Sequence, residues 1–511
     1  MLDKIILVLS LTVTISFFFY GYNCYYLLRA SKKYSPPQLN KLYIRPTVAI
    51  HLPVYNEQYT VERLIDHCIE MAEEYGKEAV RIMVLDDSDD ETSDILDTVV
   101  ARYSNAGYNI EIIRRRERKG YKAGALQEAL VKTNEEFIAI FDADFIPPRD
   151  FLIKTIPYFI QDEKVGIVQC RWSHINREYN LITKAVSIGI DAHFYVEQPG
   201  RYASGCLLNF NGSAGVIRRS ALLEAGGWHI DTLAEDLDAS YRLQLKGYKI
   251  LYLNEPHVDG EVPPTLISFK RQQARWARGS MQTAKKILPK LLAHPKLNFK
   301  QKIQGVIHLT YYSVHLLMFF AFLLAITASL ANATSISLPV IKELDLSRSD
   351  QFVASLSSLT IQQIAIILLS STIIICAAAS WVYYAATLRA QSLSLIKNAP
   401  NLLLLGLIGY GISISNTIEV LKAVLTKQQG EFKRTPKYAV KSKEDSWRDK
   451  KYHVPLDKKI FIEWASIIFG ILSAYFAYKT ENFGILPILT WYVVAYLFVN
   501  ILTLIQCGRE K

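Results

Sequence analysis

The chain has 511 residues, half of them hydrophobic, and a net charge of +10 at neutral pH. That length makes two or three domain-sized units, with 46–300 reading as soluble and most of the rest as membrane. The basic excess flanks apolar spans and no nucleic-acid motif appears, so it fits anionic lipid at a cytoplasmic face and no nucleic acid. Six scattered cysteines without a CxxC pair exclude a disulfide framework and a zinc site, which makes the soluble part cytosolic.

In chain order, residues 5–28 form an apolar run long enough to cross a bilayer and lack a small-residue cleavage site. Arg29, Lys32 and Lys33 follow, so the N-terminus is expected outside and residue 29 onward in the cytosol. Strands are predicted at 47–54, 80–85, 109–114, 136–142, 165–169 and 248–254, and helices at 57–75, 89–104, 120–132, 149–160 and 235–246. This alternation predicts a mostly parallel sheet with flanking helices, whose ligands bind at the carboxyl ends of the strands. There is no GxGxxG and no P-loop, which disfavours dinucleotide enzymes and P-loop ATPases.

Further apolar runs follow at 306–331, 361–388, 460–478 and 484–506, with an outside loop at 333–360 next to an Asn332-Ala333-Thr334 sequon, and Arg509 and Lys511 inside. The stretch 401–426 is apolar but carries Gly406, Gly409, Gly411, Asn416 and Glu419, and a basic segment, 427–459, comes after it. An interfacial or re-entrant helix with both ends inside accounts for this and gives five crossings. The expected domains are an N-terminal transmembrane helix (1–30), a cytosolic catalytic domain (46–290), and an interfacial helix with a transmembrane hairpin (291–398). A second interfacial helix with a gating loop (399–458) and a C-terminal hairpin (459–511) complete the chain.

Acidic pairs end the predicted strands. Asp142 and Asp144 close a buried run and offer hard oxygens to a divalent cation, Mg²⁺ or Mn²⁺, that would neutralise a diphosphate leaving group. Taken alone, a turn rich in Asp explains them as well. Asp86-Asp87-Ser88 fits base, ribose or metal contacts, and alone reads more simply as a strand-end turn with a helix cap. Lys119-Gly120-Tyr121-Lys122 precedes an alanine-rich helix and brings charge towards phosphate, while Arg114-Arg115-Arg116 is read as including solvated residues rather than three ligand contacts. Glu235-Asp236 opens a helix and supplies a base for an attacking hydroxyl, though acidic first turns are ordinary. Gln272, Arg275 and Trp276 share one helix face, where Arg suits diphosphate and Trp a sugar ring. Interfacial Trp and Arg are also common for other reasons.

With these residues in order, the chain resembles the processive, inverting family-2 glycosyltransferases of the cellulose synthase and hyaluronan synthase superfamily. It is most similar to the cellulose synthase-like mannan and glucan synthases over about 45–440. The resemblance implies an α/β fold of GT-A type fused to a transmembrane helical bundle. It implies donor contacts at Pro53, Tyr55, Glu57, Asp86, Asp87, Lys122, Asp142 and Arg275, with metal at Asp142 and Asp144. Asp236 is then the base, beside Glu235. Gln272, Trp276 and the finger Asn211-Gly212-Ser213 lie on the acceptor side. Phe432-Lys433-Arg434-Thr435-Pro436-Lys437 resembles the gating loop, with Thr435 and Lys437 at phosphate-contacting positions. The single leading helix, the RTPK loop and the lack of a C-terminal cyclic-dinucleotide domain point away from cellulose and towards mannan.

The implied function is polymerisation and export of a β-linked mannan or glucan from a nucleotide sugar of the GDP-mannose or UDP-glucose class, in a multi-pass protein. Its partners are the growing polysaccharide or a lipid acceptor, and membrane lipids. Its membrane is the plasma membrane in a prokaryote and the Golgi in a eukaryote. Transfer of one sugar to ceramide or diacylglycerol, and a non-catalytic export channel or scaffold, are the alternatives.

Overall fold

The computed structural model describes residues 2–39, 44–330, 378–426 and 430–507. Seven strands form one sheet in the order β3-β2-β1-β4-β6-β5-β7. They are β1 (Val48–Val54), β2 (Val80–Asp86), β3 (Ile110–Arg114), β4 (Phe137–Ile140), β5 (Val165–His174), β6 (Gly215–Arg218) and β7 (Lys249–Gly260). All neighbours pair in parallel except at β6, which runs antiparallel to both β4 and β5. The six predicted strands are present. β6 was not anticipated, and β5 and β7 run beyond the predicted ends because Trp172, Ser173 and His174 pair with Val258, Asp259 and Gly260 past a register shift.

The period-2 geometry of strands splits the sheet residues between two cores. Val48, Ile50, Leu52 and Val54 face one side, under α2 (Val61–Tyr75), α3 (Thr92–Asn105) and α5 (Phe151–Gln161). Ala49, Met83, Leu85, Ile138 and Ile140 face the other, under α4 (Tyr121–Lys132) and α8 (Arg219–Glu224), with α9 (Glu235–Leu245) behind. Burial on both faces is what a parallel sheet requires, and it accounts for the nearly unbroken apolar runs in β1 and β4.

The first helix, α1 (Leu2–Ser31), covers the predicted 5–28 run. It rests on a segment that was not predicted: α6 (Leu181–Ala192), a π-helical turn (His193–Glu197) and α7 (Gln198–Ala203). Gly200 makes this contact close, since a Cβ there would lie 2.5 Å from the Leu27 carbonyl oxygen. The long α10 (Leu266–Ala293) opens on Thr265, whose hydroxyl accepts from the Ser268 N–H, and leads to α11 (Phe299–Leu309) and α12 (Ser313–Leu330).

Among the described residues, Ser313–Leu330, Ile460–Lys479 and Leu486–Gln506 are long and apolar enough to cross a membrane. Leu395–Gly411 and Ser413–Leu425 meet at a 43° bend and make a fourth span if they count as one. The predicted 306–331 run is thus two helices, α11 and α12, of which only α12 is span-like, and the 401–426 stretch is this bent pair. The first helix, whose opening residues are without described side chains, is not in that count. The sequon and the 333–360 loop, most of the 361–388 run, and Arg509 and Lys511 lie outside the described residues.

Gly279 sets how α10 meets the sheet domain, because a Cβ there would lie 2.8 Å from the Leu233 carbonyl carbon and 2.9 Å from the Ala234 nitrogen. Gly279→Leu is therefore expected to cost about 1–3 kcal/mol through overpacking. A thermal melt followed by protein fluorescence in detergent checks this. An unchanged melting midpoint would contradict the packing described.

Candidate active site

The strand order places the ends of β2, β1 and β4 side by side, so Asp86-Asp87, Pro53-Val54-Tyr55-Asn56-Glu57 and Asp142-Ala143-Asp144 share one edge. The reversed strand β6 completes that edge. Because it runs the other way, the residues that precede it, Asn211-Gly212-Ser213, arrive beside Asp142. The Asp142 N–H donates to Ser213 Oγ at 3.0 Å and fixes the two loops together.

Acidic residues dominate this edge, and each is met by a cation. Asp86 accepts from Ser88 N–H, Ser93 Oγ and Arg114 Nε, so its oxygens are taken by the protein. Its neighbour Asp87 accepts from the Arg115 guanidinium through both oxygens. Arg114 and Arg115 are thus ion-paired, Arg114 still 42% exposed and Arg115 buried against Asp87. Arg118 stacks on the Tyr55 ring, 3.3 Å from its centroid, giving a flat cationic wall near Asp87. Asn56, at φ 55°, exchanges hydrogen bonds with Asp89 and ties the β1 loop to the β2 loop.

Lys122 stands where the two halves of the crevice meet. Its ammonium donates to Asp142 Oδ1 at 2.5 Å and to the Gly212 carbonyl at 2.9 Å. Burial opposes its charge, yet Asp142, Glu235 and Asp236 hold its pKa above the ordinary lysine value. Gly212 has φ 78°, and a Cβ on it would lie 2.9 Å from Asp236 Oδ2, so glycine is needed for Asp236 to approach this loop. Asp236 is partly accessible while Glu235 is buried. Burial, and then the Glu235 charge, push Asp236 up to about 7. Asp236 is thus a partly accessible carboxylate that can exchange a proton near neutral pH.

The face of α10 carrying Gln272, Arg275 and Trp276 lies alongside. Gln272 is buried with Oε1 unpartnered, and Trp276 is half-buried. Burial lowers the Arg275 pKa in spite of Glu235, Asp236 and Asp142 around it. Its guanidinium sits 4.6 Å from the Phe432 ring, which also stacks on Tyr121.

Phe432 lies in a segment, 430–440, that packs along the crevice. Arg434 pairs with Glu57 at 2.9 Å, and Lys437 Nζ donates to Asp144 Oδ2 at 2.6 Å and to the Glu261 carbonyl at 3.1 Å. Thr435 is buried with Oγ1 unpartnered. The segment is anchored by Glu261, between β7 and α10. Its carboxylate accepts from the backbone N–H groups of Tyr438, Ala439 and Val440 at 3.2–3.4 Å, while its own N–H donates to Asp144 Oδ2 at 2.9 Å. Successive N–H groups converging on one anion form a nest. Burial pushes both Glu57 and Glu261 up to about 7, against the pull of Arg434 and Lys437. Neither Glu261 nor Arg118 was singled out from the sequence, since no local pattern marks them.

Comparison with known proteins agrees with this architecture. The profile described as glycosyl transferase family 2 matches residues 49–223, and that described as glycosyl transferase family group 2 matches 137–387. The chain belongs to the family-2 glycosyltransferases. It is 36% identical over 265 residues to glucomannan 4-beta-mannosyltransferase 9 of Arabidopsis thaliana, covering 51% of this chain and 49% of that one. It is 37% identical over 258 residues to probable glucomannan 4-beta-mannosyltransferase 3 of Oryza sativa subsp. japonica, covering 50% and 46%. The chain therefore spans about half the length of the curated relatives it matches. Among solved structures, a mannosyltransferase of Pyrobaculum calidifontis in complex with GDP-Man and Mn²⁺ aligns at 20% identity and TM-score 0.49, covering 75% of this chain and 99% of that one. The fold is GT-A-like: a mostly parallel sheet with flanking helices and its acidic loops on one edge.

The donor set at that edge suits a divalent cation. Asp142 and Asp144 offer hard oxygens, and buried Glu57 keeps Oε2 without a hydrogen-bond partner among the described residues. Lys122 and Lys437 now supply positive charge to the same two aspartates. Among the described residues a second cluster, His229, Asp231 and Asp238, has ligand-like spacing. Lys286 reaches all three and Arg242 binds Asp238, so that cluster is already neutralised.

Glu261→Gln keeps the shape but turns the acceptor into a part-donor facing three N–H groups. Segment 430–440 should then loosen, and trypsin should cut after Arg434 or Lys437 about tenfold faster than in wild type. Equal cleavage rates would show that Glu261 does not hold the segment.

Proposed function

We propose that the protein is a membrane-embedded, inverting glycosyltransferase that extends a β-linked mannan-type polysaccharide from a cytosolic nucleotide sugar. The observation that carries this reading is the placement of Asp236, partly accessible and raised to about 7, against Gly212, Lys122 and the box on α10. The names of the plant relatives favour β-1,4-linked mannose and a donor of the GDP-mannose class, with UDP-glucose next.

In this account the donor's base and ribose lie over Tyr55 and the Asp87 loop, and its diphosphate near Asp142, Asp144, Arg275, Thr435 and Lys437. Mg²⁺ or Mn²⁺ held by Asp142 and Asp144 would neutralise the leaving diphosphate. Asp236 takes the proton of the acceptor hydroxyl as that oxygen attacks the anomeric carbon. The bond from that carbon to the diphosphate breaks on the opposite face, and Arg275 meets the charge that develops there. Gln272, Trp276 and the finger Asn211-Gly212-Ser213 hold the acceptor end. The catalytic domain faces the cytosol, and the product leaves through the helices that span the membrane.

Purified protein in lipid with Mn²⁺ or Mg²⁺ should release nucleotide from GDP-mannose and form a ladder of long products. A single short glycolipid would move it to the lipid-glycosylating branch, and no release from any common donor would overturn the reading. Asp236→Asn should cut transfer by about 10³-fold or more while nucleotide binding stays near wild type. Because the base must be deprotonated, kcat/KM should fall about tenfold per pH unit below about 7. A flat profile from pH 5 to 8 would contradict Asp236 as the base. Chelation with EDTA, or Asp144→Asn, should weaken donor binding by about tenfold or more in calorimetry, and unchanged binding would contradict the cation site.

A further inference from the structure

Helix α10 presents two faces to two different neighbours. Gln272, Arg275 and Gly279 fall at i, i+3 and i+7, on the face towards the sheet domain. Arg275 lies among Glu235, Asp236 and Asp142, and Gly279 lies against Leu233 and Ala234, just ahead of Glu235-Asp236. Lys270, Ala274, Ala277, Arg278 and Met281 fall at i, i+4, i+7, i+8 and i+11 and form the opposite face. Ala277 and Met281 pack there on Val420 and Ala423 of the helix Ser413–Leu425.

Both charged residues of that second face are ion-paired. Lys270 Nζ donates to Glu463 Oε2 at 2.5 Å, with the lysine side chain 10% exposed and the glutamate 0%. Glu463 stands in the first turn of Ile460–Lys479, one of the helices apolar enough to cross a membrane. Arg278 pairs with Glu419 at 3.3 Å, and Glu419 also takes Lys459, the residue just before that same helix, at 2.8 Å. The Arg278 guanidinium leaves no room for a Cβ on Gly430, where segment 430–440 begins. Lys270 stands on the same helix as Gln272 and Arg275 and within two turns of both, so whatever holds Lys270 also places them.

An ammonium and a carboxylate are costly to take out of water, and leaving either one alone in that setting costs more. Apolar side chains of similar volume fill such a space with no loss of stability and often with a gain. Stability alone therefore does not account for a charged pair at this place. We propose that Lys270 and Glu463 are positioning residues for sugar transfer. Their ion pair fixes the rotation and axial position of α10 against the helix Ile460–Lys479, and through α10 the place of Gln272 and Arg275 beside Asp236. The proposal rests on the glycosyl-transfer reading above and adds to it a pair on the face of α10 turned away from Asp236. Misplacement of a reacting group by about 1 Å can cost ~100-fold in rate, so a shift of this helix registers in kcat.

The test uses the full chain in lipid nanodiscs with GDP-mannose and Mn²⁺. The double variant Lys270→Met/Glu463→Leu fills the space with apolar side chains, so its melting midpoint should stay within about 3 °C of wild type. Its kcat should nonetheless fall about tenfold, with the KM for GDP-mannose within about twofold of wild type. Lys270→Arg keeps the charge and should hold kcat within about threefold of wild type. Wild-type kcat in the double variant overturns the positioning role. So does a parallel fall of melting midpoint and kcat, or a loss in Lys270→Arg as large as in the double variant. Amide hydrogen exchange over residues 266–280, read by mass spectrometry, is judged separately. About tenfold faster exchange in the double variant supports the pair as the hold on α10, and equal exchange overturns it. Absence of any donor turnover in wild type overturns the glycosyl-transfer reading instead, and the exchange measurement still decides the pair.

Discussion

The partly buried ammonium of Lys122 is the contact on which the rest of the crevice depends. It bonds Asp142 from β4 and the Gly212 carbonyl ahead of β6, and its field reaches Glu235 and Asp236 at the start of α9. Three carboxylates brought so close repel one another unless a cation sits among them. Lys122 allows Asp142, Glu235 and Asp236 to share one small space. The Asp236 pKa stays raised all the same, because burial and Glu235 outweigh it. A base poised near neutrality is the consequence of that imbalance.

The same logic extends outward. Asp87 is balanced by Arg115, Glu57 by Arg434 and Asp144 by Lys437. Two of these cations come from segment 430–440, far along the chain from the sheet. The position of that segment and the charge balance of the acidic edge are therefore linked through Lys437 and Arg434. Glu261 links the two directly, since its N–H binds Asp144 and its carboxylate binds the segment's backbone.

Much of this was legible in the sequence because parallel strands buried on both faces leave long apolar runs, and each acidic pair falls where such a run stops. β6 was not legible. It is four residues long, Gly215–Arg218, and its antiparallel direction is set by pairing with β4 and β5 rather than by its own pattern. Glu261 was hidden because its partners are backbone N–H groups of residues 438–440, which carry no side-chain signature. The candidate spans were legible as apolar stretches, but the 43° bend at Ile412 between two helices was not.

The central claim is an attack by an acceptor hydroxyl, activated by Asp236, on the face of the anomeric carbon opposite the diphosphate. The most direct measurement is the anomeric configuration of product formed from α-linked GDP-mannose, read by proton and carbon NMR on purified material. The account predicts β-mannosyl linkages. An α-linked product would contradict it, because retention cannot arise from a single displacement with this base.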